Sequence, residues 1–272
     1  MIAFGTIKIK YVLICLFLSL IFPAFSALRW YYLLKASNQI ISFPFCFVLT
    51  VGAWPLNVFL PSRGGDFFRV AFVESSVSKA KAFGSIIAEK LLDIICLCMI
   101  GFFGAISIKN KKFISIFLIM LILIGVSTPI LSLLQRYIRN KNVSFLNKLD
   151  LILQGMDILS FHQKFTIFAA IWAFTNWILS VVQVFLFFKA FGAYVPPLEI
   201  CTRLPLSIFA GVLPITLAGI GTRDAAMLFF FKGFASASII FGVSILYTLS
   251  SYFLYSFLGI PFFIYLVNKR KG

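Results

Sequence analysis

Residues 113–134 read FISIFLIMLILIGVSTPILSLL and contain no charged side chain. An α-helix needs about 20 apolar residues to cross the roughly 30 Å hydrocarbon core of a bilayer, and this run supplies them. The whole chain has the same character, because 61% of its 272 residues are hydrophobic and only 12% are charged. A soluble domain carries about 25% charged residues. We therefore predict an all-α, polytopic integral membrane protein and exclude a water-soluble one.

Other apolar runs are distributed along the whole chain and predict about 6–8 transmembrane helices. These runs are residues 11–28, 41–60, 83–107, 165–190, 203–220 and 239–267. The first run also resembles a signal peptide, since Lys8 and Lys10 precede it, but we interpret it as an uncleaved helix because so many runs follow. Residues 225–238 are too short for a full crossing, and we expect them to form half of a re-entrant pair.

The apolar runs fall into two groups, within residues 1–134 and 165–272, which we assign to a single transmembrane domain covering 1–272. The segment between them, residues 135–164, is basic. Its apolar residues recur at helical spacing, a pattern typical of an amphipathic helix that lies on the membrane surface. We therefore predict two halves joined by this surface segment.

The net charge of +16 comes from 24 Lys and Arg residues against 8 Asp and Glu residues. The cations are scattered between the apolar runs rather than gathered in a stripe, which favours contact with anionic lipid over nucleic acid. If both termini lie on one side, 15 cations fall on that side, eight on the other and Lys90 within a helix. The positive-inside rule then predicts a multi-pass plasma-membrane protein with both termini in the cytoplasm.

Polar residues near two of the runs predict which helix faces meet water or the protein interior. Arg29, Trp30 and two following tyrosines come directly after the first run, and we expect them to anchor the chain at the membrane interface. Asn176 and Gln183 are seven residues apart in the fifth run. They therefore share one helix face, which we expect to point into the bundle.

Two segments break the rules for a lipid-exposed helix, and they resemble each other. The first break is LPSRGGD at 60–66, and the second is LPITLAGIGTRD at 213–224. Pro and Gly free backbone groups that lipid cannot satisfy, so such segments belong in a protein-lined or watery cavity. Interrupted segments in both halves of a chain indicate a transporter-like site. The residues that we expect to interrupt the helices are Asn57, Pro61, Gly64, Gly65, Pro214, Gly219 and Gly221.

Both breaks combine an arginine with an aspartate that opens a new helix. The start of a helix offers unpaired N–H groups and the positive end of its dipole, and an arginine adds a two-pronged donor for phosphate oxygens. The residues that we expect to hold a lipid phosphate are Arg63, Asp66, Arg69, Arg223 and Asp224. The alternative is that both breaks are ordinary surface loops whose arginines reach toward lipid headgroups.

Three ionisable residues fall inside the run at 83–107. Glu89 and Asp93 are four residues apart and share a helix face, and Lys90 can pair with Asp93 at a spacing of three. Ionisable groups inside a transmembrane helix are costly and usually mark a pathway or a counter-ion. The alternative is that the helix emerges into water near Ala88, so that only Asp93 is submerged.

The sequence contains few of the residue patterns that enzymatic catalysis requires. His162, the one histidine, lies in the connecting segment, and the five cysteines lie in or beside apolar runs. No nucleophile elbow, metal-ligand spacing or glycine-rich nucleotide loop is present. We therefore predict no enzymatic activity, no cofactor and no metal site.

The motifs together resemble a flippase-like family that includes the transmembrane region of lysylphosphatidylglycerol synthases. The residues that carry the resemblance are Trp30, Asn57, LPSRGGDFFR, AEKLLD and LPITLAGIGTRDAA, in the family's order from about residue 29 to the C-terminus. Where the family pattern usually has Gly-Glu, Glu-Arg and Arg-Glu, this chain has Gly65-Asp66, Glu89-Lys90 and Arg223-Asp224. Each substitution keeps the charge, although a lysine lacks the planar fork of an arginine.

The resemblance implies translocation of a phospholipid or of a lipid-linked glycan precursor, with an anionic or polyprenyl-phosphate lipid as the partner. In the synthases a separate soluble domain attaches the amino acid. Because no such domain follows the last run, we do not expect that activity here. Two alternatives stay open: a non-catalytic membrane partner of a glycolipid or polysaccharide synthase, and a membrane-embedded transferase that uses Glu89 or Asp93 as its base.

Overall fold

The computed structural model describes residues 7–74, 76–139, 150, 152–153, 164–213 and 215–271. Most of these residues are helical, and they contain no strand. The predicted all-α class is therefore confirmed. Most of the predicted surface segment 135–164, including His162, lies outside the described residues.

The first half contains three long helices and several short ones. Their bounds are α1 Ile9–Ala36, α2 Phe43–Gly52, α3 Trp54–Phe59, a 3-10 helix Pro61–Phe68, α4 Arg69–Phe72, α5 Lys79–Ser107 and α6 Lys111–Arg139. The second half contains α7 Lys164–Ala190, α8 Pro197–Val212, a 3-10 turn Leu217–Gly219, α9 Thr222–Phe231, α10 Ala237–Thr248 and α11 Leu254–Lys271. A π-helical turn, Leu249–Phe253, joins α10 to α11.

Three stretches of the described chain are long and apolar enough to cross a membrane. They are Ile9–Ala36, Lys164–Ala190 and the continuous helix Ala237–Arg270. The shorter apolar stretch Phe43–Phe59 contains α2 and α3. Together with the helices that pack against them, these elements form a polytopic membrane protein.

Both Leu-Pro pairs end a helix for the same steric reason. The residue before a proline is driven out of the α region and into extended backbone. Leu60 has φ −105° and ψ 136°, and Leu213 has ψ 134°, so each leaves the helix that precedes it. The predicted interruptions near 60–66 and 213–224 are therefore confirmed. The helix predicted at 203–220 accordingly ends early, at Val212, and the short one predicted at 225–238 begins at Thr222 and ends at Phe231.

The two breaks lie against each other. The 3-10 helix Pro61–Phe68 packs on the 3-10 turn Leu217–Gly219, although about 150 residues separate them in sequence. Gly219 and Gly221 have φ of +71° and +95°, a left-handed conformation that favours glycine. A Cβ at Gly219 would also lie 2.7 Å from the carbonyl oxygen of Gly211. The second break therefore depends on glycine both for its turn and for its close packing.

The hydrophobic core draws on both halves of the chain. Helix α1 packs along α7, while α5 packs against α6, α7 and α8. One buried cluster contains Leu33 of α1, Leu92 of α5, Val184 of α7 and Val243 of α10. The elements that carry the charged residues are therefore held by packing on several sides.

Gly101 sets the distance between α5 and α6, which makes it a test of this packing. Its hydrogen faces the ring of Phe117, and a Cβ there would overlap that fully buried ring. We expect Gly101→Ala to lower the free energy of unfolding by about 1–3 kcal/mol, because overpacking forces the ring to shift. Thermal unfolding of the purified protein in detergent measures the effect.

The matched control is Gly125→Ala on α6, where an added Cβ meets no atom within 4 Å. This variant should unfold at the same temperature as the wild type or slightly higher, because alanine favours the helix. Equal destabilisation by both variants would contradict the packing at Gly101.

Candidate functional site

A polar cavity of about 60 Å³ lies between the two halves of the chain. The first half lines it with Trp54, Asn57 and five charged residues, Arg29, Asp66, Arg69, Glu89 and Lys90, while Asp93 lies behind this lining as a partner of Arg29. Helix α7 contributes Asn176, Trp177 and Gln183. The C-terminal helices add an aromatic and hydroxylated wall that contains Tyr247, Ser251, Tyr252, Tyr255 and Ser256. The cavity therefore combines charges, amides, hydroxyl groups and aromatic rings inside an apolar chain.

Six charged residues on its first-half side form one charge network: Arg29, Asp66, Arg69, Glu89, Lys90 and Asp93. Glu89 lies at the centre and is 1% exposed. Arg69 Nη1 donates to its Oε2 atom at 2.9 Å, and Arg29 donates to its Oε1 atom. Each carboxylate oxygen of Glu89 therefore binds a different arginine.

In the described part of the chain, Asp93 forms an ion pair with one cation, Arg29. Arg29 donates from Nη1 to the Oδ1 atom of Asp93, and Trp177 donates to the same oxygen from Nε1 at 2.7 Å. Arg29 therefore bridges Asp93 and Glu89, one helical turn apart on α5. The neutral indole from α7 completes the environment of this carboxylate.

Asp66 of the first break is held by three donors. Arg69 Nη2 lies 2.9 Å from Oδ1, Asn57 Nδ2 donates to the same atom at 2.9 Å, and Lys90 pairs with Oδ2. Gly65 makes this arrangement possible, since a Cβ there would lie 2.7 Å from the backbone nitrogen of Asn57. The glycine therefore lets the 3-10 helix approach α3 closely enough to bring Asp66 to Asn57.

The charge network is electrically balanced. It contains three cations and three carboxylates, and five of the six residues are less than 9% exposed, the exception being Lys90. Removing ionised groups from water costs several kcal/mol for each ion, and pairing must recover that cost. The pairs join α1, α5 and the first break, so loss of any member leaves a buried charge without its partner.

The expectation that Arg29 and Trp30 anchor the chain at the membrane interface is wrong. Helix α1 continues to Ala36, beyond the end of the apolar run, so both residues lie within it, 5% and 0% exposed. Trp30 Nε1 donates to Ser85 Oγ at 3.0 Å, and its ring lies 4.9 Å from the guanidinium of Arg69. The carboxylates of α5 compensate the charge that should otherwise bring Arg29 to the surface.

The second break builds a separate polar cluster beside the cavity. Asp224 accepts hydrogen bonds from Ser244 and from the backbone N–H of Gly221, the latter at 2.9 Å. Arg223 donates to Thr248, and its guanidinium lies between the rings of Tyr247 and Tyr252, at 5.0 and 5.1 Å. Both tyrosines line the cavity. Arg223 therefore supports the aromatic wall from behind.

The structure brings together some of the expected site residues and not others. Asp66, Arg69, Glu89 and Lys90 line one cavity, although Lys90 pairs with Asp66 and not with Asp93. Ala88 is also buried by protein, 4% exposed, so α5 does not emerge there. The side chain of Arg63 and the whole of Pro214 lie outside the described residues.

Sequence reasoning missed Arg29 and Trp177 as members of the site. Arg29 looks ordinary in the sequence, because an arginine at the end of an apolar run usually lies at the interface. Trp177 lies in the middle of the run 165–190, where nothing distinguishes it from the other apolar side chains. Asn176 and Gln183 were found from their spacing, and both line the cavity. Gln183 donates to Ser19 Oγ at 2.7 Å and so links α7 to α1.

Comparison with known proteins identifies relatives along almost the whole chain. Residues 3–259 match the family described as the lysylphosphatidylglycerol synthase TM region. A UPF0104 membrane protein of Methanocaldococcus jannaschii is 23% identical, over 97% of this chain and 88% of the relative. Another, from Methanothermobacter thermautotrophicus, is 24% identical, over 96% and 87%. No solved structure matches the chain.

The family match covers both breaks, the charged helix α5 and the aromatic wall of the cavity. The resemblance found in the sequence motifs is thereby confirmed. The chain belongs to the family of the lysylphosphatidylglycerol synthase transmembrane region.

Proposed function

We propose that this membrane protein binds the phosphate-bearing headgroup of a lipid in the polar cavity and moves it between the leaflets. The lipid is a phospholipid or a lipid-linked glycan precursor. Membership of a family named after the membrane region of a lipid-modifying synthase supports a lipid role. On this proposal the chain is a flippase-like protein without catalysis of its own.

The charge network carries the proposal. Ionisable residues within membrane helices are expensive and usually mark the path of a substrate or ion. Here they lie beside a cavity that both halves of the chain line. A purely structural contact between helices would cost less free energy if apolar side chains formed it, because no charge would have to leave water.

Three of the described arginines have N–H groups that could donate to a phosphate. The Nε atoms of Arg29 and Arg69 are buried and have no hydrogen-bond partner among the described residues, and both arginines line the cavity. On the second-half side, Nε and Nη1 of Arg223 are also buried without such a partner. Guanidinium groups bind phosphate oxygens with good geometry and retain their charge when buried. We propose that these arginines, with Arg63, bind the headgroup in turn.

The cavity must widen to admit a headgroup. Its volume of about 60 Å³ corresponds to roughly four water molecules at about 15 Å³ each. The two breaks interrupt the α-helices, with a 3-10 helix in the first and a short 3-10 turn in the second. We therefore propose that they separate when the lipid enters.

We expect the protein to lie in the plasma membrane with both termini in the cytoplasm, as the distribution of cations predicts. Reporter proteins fused to the C-terminus test this. A cytoplasmic reporter should be active and an externally active one silent, and the reverse result would overturn the orientation.

Arginine-to-lysine substitutions at Arg29 and Arg69 test the donors. Each keeps the positive charge but loses a planar fork that now serves two carboxylates, and hydrogen bonds to charged groups contribute about 1.5–3 kcal/mol. We expect translocation of a fluorescent phosphatidylglycerol in proteoliposomes to slow about tenfold or more.

The matched control is Arg203→Lys on α8. Arg203 also pairs with a carboxylate, Glu199, but it does not line the cavity. This variant should translocate lipid at the wild-type rate. Wild-type rates in all three variants would refute a role for the cavity arginines.

Arg63 and Arg223 are expected to act on the same lipid phosphate. Arg63→Lys and Arg223→Lys should each slow translocation, because the bidentate contact is lost. The double variant should then be less impaired than the sum of the single effects, whereas independent residues add within about 0.5 kcal/mol. Small, additive effects in the same assay would contradict a shared phosphate site and support the alternative that both breaks are ordinary surface loops.

A further inference from the structure

We propose that the protein takes up one proton on Asp93 for each anionic headgroup that binds. This inference rests on the proposed function, because it assumes that a phosphate displaces a carboxylate from Arg29. The site takes up the proton and the phosphodiester together and releases them together. Lipid movement would then be coupled to proton movement.

The charge balance of the network requires a compensating charge. Three cations already face three carboxylates in the described structure, so an added phosphodiester brings one uncompensated negative charge into a buried site. An isolated buried anion is very costly, and groups in that position usually become neutral instead. Binding of a proton restores the balance.

Asp93 is the carboxylate most easily deprived of its cation. Glu89 is paired with two arginines, and Asp66 with Arg69 and Lys90, whereas the described pairs of Asp93 include Arg29 alone. Capture of Arg29 by a phosphate therefore leaves Glu89 with Arg69 and Asp66 with both its cations. It leaves Asp93 with only the neutral indole of Trp177.

Among the described residues, the groups around Asp93 do not supply another unpaired positive charge. On its own helix the titratable neighbours are Glu89, Lys90 and Cys96, and Lys90 is paired with Asp66. Arg29 reaches it from α1, and α7 presents Trp177. On α8, Arg203 and Glu199 pair with each other. When Arg29 turns to a phosphate, the negative charge of Glu89 one turn away makes an ionised Asp93 still less favourable.

Lipid binding and proton uptake balance in charge and in atoms. One phosphodiester with a single negative charge binds the guanidinium of Arg29, and one proton from the aqueous phase forms an O–H bond on the carboxylate of Asp93. The net charge of the site stays at zero. On release the O–H bond breaks, the proton returns to water, and Asp93 pairs again with Arg29.

Calorimetry counts the proton directly. The purified protein in detergent is titrated with dihexanoylphosphatidylglycerol at pH 7 in HEPES and in Tris, whose ionisation enthalpies differ. The difference between the two observed heats gives the protons exchanged per lipid bound. We expect about one proton taken up, and therefore about a tenfold loss of affinity for each unit of rising pH.

The Asp93→Asn variant tests whether Asp93 is the group that takes up the proton. The amide cannot ionise but can still accept the hydrogen bond of Trp177, so this variant should bind the lipid with no proton uptake and no dependence on pH. Glu199→Gln, whose carboxylate pairs with Arg203 outside the charge network, should behave like the wild type. If Asp93→Asn is too unstable to purify, the wild-type proton count still decides whether lipid binding takes up a proton.

The outcomes separate this inference from the proposed function. Binding of the lipid without proton uptake overturns the coupling and leaves the headgroup site standing, whereas no binding at all overturns both. Proton uptake that persists in Asp93→Asn overturns the assignment to Asp93. The same titration with glycerophosphoglycerol, the water-soluble headgroup without acyl chains, tests whether the site recognises a lipid. Binding as tight as that of the lipid would assign the site to a soluble phosphodiester and overturn coupling to lipid.

Discussion

The pairing of Glu89 with two arginines is the interaction on which the rest of the structure depends. A carboxylate that is 1% exposed inside an apolar bundle requires charged partners, because burial of an unpaired charge is very costly. Arg29 supplies one partner from α1, and Arg69 supplies the other from the segment after the first break. The position of Glu89 on α5 therefore determines how α1 and the first break must sit around it.

The two breaks use the same sequence device for different purposes. In each, a leucine before a proline leaves the helix, and an aspartate follows the glycines. Asp66 enters the charge network, whereas Asp224 accepts a hydrogen bond from Gly221 at the start of α9 and another from Ser244. The first half therefore provides the charges of the cavity, and the second half provides its aromatic wall.

The departures from the usual family pattern are consistent with this geometry. Lys90 stands where the pattern has an arginine, but its ammonium meets a single oxygen of Asp66, and its side chain is 28% exposed. A point charge is sufficient for that contact, whereas Arg29 must reach two carboxylates at once and uses both ends of its fork. Lysine is therefore tolerated at position 90 for a reason that does not extend to position 29.

The sequence alone determined the all-helical membrane class, the two breaks and the family, because apolar length and the steric effect of proline act locally along the chain. It also placed Asn176 and Gln183 on one face by helical spacing. The tertiary structure alone decided that Arg29 lies inside the protein and that Lys90 pairs with Asp66. An arginine after an apolar run can reach water or a buried carboxylate, and only the packing of α1 against α5 selects the second. Partners separated by 24 to 64 residues leave no periodic signal, since their pairing depends on how distant segments meet in space.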